Sequence, residues 1–442
     1  MFNVAVGLAA VLITFAGVIL QIPLVAAGVL LGMFALVTAA TKHATVQLFM
    51  VTTFLLLPMN GLRVSGITFA DIALLCAFVF ALVERKWTPI PAKYGVPLYG
   101  LILIATLASV FSPFQAEALA SVARLAIASA LCIQLVFLVK PAAPQIEAWI
   151  WAFASGNGVS VIYGYMFPPE YSDRINGLTT HANTLGLVSS LALLLLLTRT
   201  PAGLLLKILW ALLLGLSAAG AIASGSRAAL LSVGVGVLVR VCFSPRPGRA
   251  WAVFLSICVV GVLPLALWQV TIPGSAMQRL FETSNFEAQS NTGRLIHADY
   301  ALERWSDQPL LGAGMDIGVV AHNVYLQLLT AAGPIGLLSF LAIVLTACIA
   351  LVKTLRRPGV DAETARIALG ILSATLGYLT SAAVSNNLWD RFVWLVLGLA
   401  LFVGSRVFTD RFIRDEPTTL SSIGRISTRS DHVQVVEKWR AR

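Results

Sequence analysis

The chain has 442 residues, of which 58% are hydrophobic and 11% charged, with a formal net charge of +10. A soluble globular protein carries about 25% charged residues, and here no soluble-sized block is left between the apolar runs, so one or two anchors on a soluble domain are excluded. Mean hydropathy is +0.87, and the basic surplus reads as cytoplasmic loops of a membrane protein rather than a nucleic-acid surface.

The first 20 residues are apolar but lack a basic start and a small-residue cleavage site, so they read as a first span and not a cleaved signal. Runs long enough to cross a bilayer, about 20 residues each, then recur along the chain. Hydropathy places spans near residues 2–20, 22–40, 44–59, 67–83, 95–111, 116–139, 147–167, 182–198, 204–223, 227–243, 250–273, 323–352, 364–384 and 388–408. The expected fold is all-α, a polytopic membrane protein of about 12 to 14 spans, because some short runs can be half-helices or re-entrant. One domain is expected over residues 1–408, followed by a polar, basic tail over 409–442 that reads as disordered. Cys76, Cys132, Cys242, Cys258 and Cys348 sit in or beside apolar runs without metal-like spacing, and read as small core hydrophobes.

Lys and Arg set the sides. The segments around 41–43, 84–93, 140, 199–207, 240–249 and 353–366 hold most basic residues and alternate in register, which makes them cytoplasmic together with both termini. The segments around 60–66, 112–117, 167–181, 224–227 and the long loop of about 274–322 then face outward. Arg174, His181, Arg227, Arg294 and His322 fall on that outer side, as do Asp390 and Arg391.

Arg227 stands in "ASGSRAALL", where one span ends and another begins. An arginine near a membrane boundary can snorkel to headgroups; alternatively Ser224, Gly225 and Ser226 form a helix N-terminus that favours an anion, with Arg227 as a forked donor. Around Arg294, Leu295, Ala298, Leu302 and Trp305 repeat at helical spacing while Arg294, His297, Ala301 and Arg304 follow another face. This predicts an amphipathic helix at the outer surface. "PLLGAGMD" is a glycine-rich turn, and "GPIG" at Gly333–Gly336 predicts a kinked helix. His322 opens that span with Asn323 and Tyr325, either as an interfacial group beside an aromatic belt or as a base or orienter near neutral pH. Together the cationic groups suggest a pocket for a phosphorylated substrate, and on the outer side an activated donor has to be lipid-linked.

"SGSRAALL" (Ser224–Leu231), "TGRLIHADYALERWSDQPLLGAGMD" (Thr292–Asp316) and "AHNVYLQLLTAAGPIGLL" (Ala321–Leu338) resemble successive motifs of the O-antigen ligase / O-antigen polymerase superfamily. "RINGLTTHANTLG" (Arg174–Gly186) is similar to its upstream element, and the resemblance spans roughly residues 170–400. It implies a GT-C-type glycosyltransferase without metal or other cofactor. The implied donor is an undecaprenyl-diphosphate-linked glycan. By resemblance Arg227 and Arg294, with Arg174, bind the diphosphate, and His322 is catalytic. Ser226, Asn323, Tyr325, His181, Asp390 and Arg391 are accessory candidates. No acidic pair suggests glycosidase chemistry.

The expected activity is O-antigen ligation at the periplasmic face of a bacterial inner membrane, transferring O-polysaccharide to lipid A-core with inversion. The alternatives are an O-antigen polymerase or a protein O-oligosaccharyltransferase of the same superfamily. A lipid-linked glycan flippase or transporter is the rival of another class; transporters tend to carry ionisable groups or broken helices at mid-membrane and internal repeats, whereas here most strong polar groups crowd one face and the sequence shows no repeat.

Overall fold

A helix leaves its first backbone N–H groups without partners, and short polar side chains ahead of several apolar runs take them up. Thr68 Oγ1 accepts from Asp71 N–H at 3.1 Å while Asp71 Oδ2 accepts from Thr68 N–H at 3.0 Å, a reciprocal cap. Asp361 accepts from Thr364 N–H at 2.8 Å, and Asn323 accepts from Tyr325 and Leu326 N–H at 2.9 and 3.1 Å. The computed structural model describes residues 42–64, 67–169, 174–198, 201–244, 248, 251, 285–315 and 321–405. The spans expected at 2–20 and 22–40, nearly all of that at 250–273, and the tail from 409 lie outside these residues.

Among the described residues the helices in chain order are α1 (Lys42–Leu56), α2 (Phe69–Glu84), α3 (Ala92–Val110), α4 (Gln115–Ala126), α5 (Cys132–Val139), α6 (Ala143–Met166), α7 (Ala182–Leu196), α8 (Leu204–Ala223), α9 (Arg227–Cys242), α10 (Asn285–Asp307), α11 (Val324–Leu355), α12 (Ala362–Ala382) and α13 (Arg391–Val403). A π-helical turn, Ile127–Leu131, joins α4 to α5. The only strands among the described residues form a two-stranded antiparallel hairpin, Arg63–Val64 with Ile67–Thr68. By length and composition 5 helices can cross a membrane: α3, the run Gln115–Val139, α8, α11 and α12. Thr45–Met59, Ala182–Leu196 and Arg391–Val403 are shorter apolar helices. The architecture is that of an all-α polytopic membrane protein.

α9 packs against α12, α11 against α3, and α1 against α2 and α6. Trp149, Trp394, Tyr94, Phe54 and Phe137 are fully enclosed in this core. Lipid offers no hydrophobic drive between helices, so polar contacts and close packing fix partners. Buried Asn157 donates to Ser217 at 3.1 Å and accepts from Ser189 at 2.9 Å, joining α6, α8 and α7.

α11 kinks where "GPIG" predicts: Gly333 has φ 63 and Pro334 follows inside the helix. Pro334 has no N–H, so the carbonyl of Thr330 loses its helical donor. Ala313 N–H donates to that carbonyl at 2.7 Å, and Gly314 N–H to Ala331 O at 3.1 Å. The glycine-rich turn therefore plugs the break in α11. Gly312 has φ +83, and a Cβ there would meet Gly333 N at 2.6 Å, so only glycine allows this approach.

Hydrogen bonds link the loops expected on the outer side to one another. Gly61 N–H donates to Leu178 O at 2.8 Å, Ile175 N–H to Ala223 O at 3.3 Å, Met315 N–H to Ser109 Oγ at 3.0 Å and Trp389 Nε1 to Ser121 O at 3.3 Å. The opposite set is tied by Gln134 Nε2 to Thr88 O at 2.7 Å and by Arg240 to Leu197 O and Leu194 O at 2.8 and 2.9 Å.

Candidate functional site

The loop from Arg174 to His181 is held from three directions. Arg174 Nε donates to Ser224 O at 2.7 Å and its Nη2 to Asn183 Oδ1 at 2.5 Å. Thr180 N–H donates to Asn60 Oδ1 at 3.2 Å. Asn183 N–H donates to His181 Nδ1 at 3.1 Å, so the imidazole itself caps α7. Arg174 thereby joins the start of α7 to the turn before α9.

That turn engages part of the anion cradle suggested by "SGS". Ser226 is the N-cap of α9 but its side chain makes no capping bond. Gly225 N–H donates to Ile222 O at 3.1 Å and Ser226 N–H to Ser224 Oγ at 3.3 Å. Ser224 and Ser226 are buried. With these N–H groups engaged inside the turn, Gly225 and Ser226 have no backbone donor to offer an anion, and α9 presents the side chain of its first residue, Arg227.

α10 is the helix expected around Arg294, and its orientation is informative. Leu295 and Leu302 are 65% and 45% exposed, whereas Ala301 is buried against Ala321 and Leu326. Thr330 Oγ1 on α11 donates to Ala301 O at 3.1 Å. The face carrying Arg294, His297 and Ala301 thus turns toward the protein, and the Leu295–Leu302 stripe turns away, as for a helix resting on an apolar surface.

His322 lies between α10 and α11. Its φ is 51, a left-handed conformation that costs a non-glycine residue about 1 kcal/mol or more and clusters at functional sites. Asn323 caps α11, and Ala321 N–H donates to buried Gln327 at 3.2 Å, which also accepts from Asn386 at 3.4 Å. The strained backbone is therefore clamped on both sides. His297 meets the His322 ring edge-on with centroids 5.5 Å apart.

Electrostatics join these pieces. Burial, then Arg294 and His297, hold the His322 pKa below the ordinary histidine value. Burial, then Arg174, His322 and Arg294, depress that of His181. Each histidine feels Arg294, and His181 feels His322, so Arg174, His181, Arg294, His297 and His322 share one local field. Both rings are biased to the neutral form among fixed positive charges, a setting that suits an anionic ligand, and the His322 ring, with neither nitrogen held by a hydrogen bond among the described residues, is left able to take a proton.

The accessory candidates divide. Asn323 is a helix cap, and Tyr325 donates to Leu379 O at 2.7 Å; both brace α11. Arg391 pairs with Asp71 at 2.7 Å, joining α13 to α2. Asp390 accepts from Asn387 at 2.6 Å and Asn60 at 3.4 Å. Asn60 also receives Thr180 N–H, so Asp390 steadies the loop that carries His181. His297, Asn183 and Gln327 were not among the sequence candidates. For His297 the signal was its place on the Arg294 face; Asn183 has near partners in His181 and Arg174 but no spacing that marks it, and for Gln327 no local pattern announces Asn386, 59 residues on. Among the described residues no group of three or more His, Cys, Asp or Glu is arranged to hold a metal ion.

No curated protein matches the chain. A family model described as O-antigen ligase matches residues 211–341. The match runs from within α8 past the kink of α11 and includes Arg227, Arg294 and His322, with Arg174 and His181 upstream of it. Over these residues the chain is similar to the O-antigen ligases, within the superfamily that its motifs resemble.

Proposed function

We propose that this chain is an O-antigen ligase of the bacterial inner membrane, transferring O-polysaccharide from undecaprenyl diphosphate to lipid A-core on the periplasmic face. The observation that carries the reading is the local field shared by Arg174, Arg294, His181, His297 and His322, in a chain that matches the O-antigen ligase family over residues 211–341. Arginines bind diphosphate oxygens by paired, charge-assisted hydrogen bonds. A donor anchored in lipid and an acceptor arriving from water would meet at this rim.

In this mechanism Arg294, Arg227 and Arg174 hold the diphosphate. The acceptor hydroxyl attacks the anomeric carbon in line and inverts it. The glycosidic C–O bond breaks with its electron pair going to the diphosphate oxygen, where preorganised positive groups stabilise the growing charge. His322, neutral when free, accepts the hydroxyl proton or orients the hydroxyl. No metal and no other cofactor takes part.

Deleting the gene and profiling lipopolysaccharide tests this reading. Full-length O-polysaccharide accumulating on the lipid carrier, with bare lipid A-core, is the expected result. Single repeat units on lipid A-core would instead identify a polymerase, and an unchanged profile would remove the reading altogether.

A further inference from the structure

His181 differs from His322 in one respect that decides its chemistry. Its Nδ1 accepts the N–H of Asn183 at 3.1 Å. A ring nitrogen that accepts a hydrogen bond carries a lone pair, so the neutral ring must hold its proton on Nε2. Burial first, then the charges of Arg174, His322 and Arg294, oppose a second proton on the ring. Among the described residues no protein acceptor takes Nε2–H, and the residue keeps solvent access. Asn183 also accepts from Arg174 at 2.5 Å, so ring, guanidinium and the first turn of α7 form one rigid unit. His322 has no hydrogen bond among the described residues that would fix either ring nitrogen, and is free to exchange a proton.

We infer that His181 is a tautomer-fixed hydrogen-bond donor whose Nε2–H binds a phosphate oxygen of the lipid-linked diphosphate. This assignment rests on the donor class proposed above and gives the two histidines different tasks. A donor-only group set between cations faces an anion, not a hydroxyl awaiting deprotonation. Its hydrogen bond strengthens as the C–O bond breaks and charge gathers on the leaving diphosphate. His181 transfers no proton; the hydroxyl proton goes to His322 or water.

Two substitutions separate this role from capping. His181→Asn keeps an N-cap acceptor for Asn183 N–H, since Asn is among the best N-caps, but removes the donor at the Nε2 position. His181→Gln retains an N–H donor near that reach and caps poorly. The full chain in nanodiscs is assayed for thermal unfolding, for binding of farnesyl diphosphate against farnesyl monophosphate, and for glycan transfer. The expected result for His181→Asn is a near-native unfolding midpoint with diphosphate binding weakened about 10- to 100-fold and transfer lowered at least as much. His181→Gln unfolds earlier yet binds the diphosphate within a few-fold of the parent. Native binding and turnover in His181→Asn would reduce His181 to a cap and overturn the assignment. Native diphosphate binding in both variants with transfer lost in both would indicate proton transfer and also overturn it. If the parent protein does not prefer the diphosphate to the monophosphate, the donor class itself is wrong and both proposals fall.

Discussion

His322 combines a strained backbone, φ 51, with a pKa held down by burial and by Arg294 and His297. If it is the base or orienter, His322→Ala folds and binds the donor, and transfer falls about 10²- to 10⁴-fold. Turnover and donor affinity measured separately check this, and near-native turnover would leave it an interfacial residue. The pH profile follows from the sign of the shift. A lowered pKa keeps the ring neutral further into the acid range. The acid limb of kcat/KM therefore falls below about 6.5, the ordinary histidine value, and moves up toward it in His297→Gln, which removes one of the opposing groups. A limb already above the ordinary value in the parent would contradict the electrostatics. At Arg294, replacement by Lys keeps the charge but loses the planar fork, so both donor affinity and transfer should drop by about tenfold or more; a fully active Arg294→Lys would show that charge alone suffices.

At the scale of elements, α11 and the turn before it form an interlock. Gly333 has φ +63, and a Cβ there would run into Leu310 O. Gly333→Ala therefore meets strain and a backbone clash together. The predicted loss is about 1–3 kcal/mol, read as a lower unfolding midpoint in nanodiscs; an unchanged midpoint would mean the turn does not plug the kink. This scale is also where the sequence was most legible. The spans read at 67–83, 116–139, 204–223 and 323–352 correspond to Phe69–Glu84, Gln115–Val139, Leu204–Ala223 and Val324–Leu355, because apolar runs act locally, helped at two of them by the caps Thr68 and Asn323. The helix around Arg294 was legible as amphipathic, but not the side that faces the protein. That choice is made by Thr330 and Leu326 on α11, and periodicity carries no information about a partner. "SGS" was ambiguous for a related reason. Serine and glycine at a span end fit both an anion cradle and a closed turn, and the burial of Ser224 and Ser226 against α7, which draws their side chains into the turn, comes from a distant helix.

For the whole molecule, basic residues sort the loops into two sets, and the hydrogen bonds within each set agree with that sorting. Which set faces the periplasm is a proposal with a direct check. In a cysteine-free background, Ser306→Cys, exposed at the end of α10, should react with an impermeant thiol reagent added outside intact cells. Arg357→Cys, exposed beyond the far end of α11, should be protected until the membrane is opened. The reverse pattern would put the site on the wrong side for the proposed acceptor. The accessory residues follow the same logic of scale. Asp390 and Arg391 looked like members of the site because they share its side, but Arg391 pairs with Asp71 and Asp390 reaches the His181 loop only through Asn60. Sidedness is legible in a sequence, and adjacency across three hundred residues is not.

The central claim is that a lipid diphosphate is the leaving group, held by arginines and released without a metal. Glycan transfer by the purified chain in nanodiscs, from undecaprenyl-diphosphate-linked O-polysaccharide to lipid A-core in the presence of a chelator, tests it most directly. The account predicts ligated lipopolysaccharide from the parent protein and none from Arg294→Ala, with donor binding lost in the variant. Transfer that stops with chelator and returns with a divalent cation, or that survives Arg294→Ala unchanged, would contradict it.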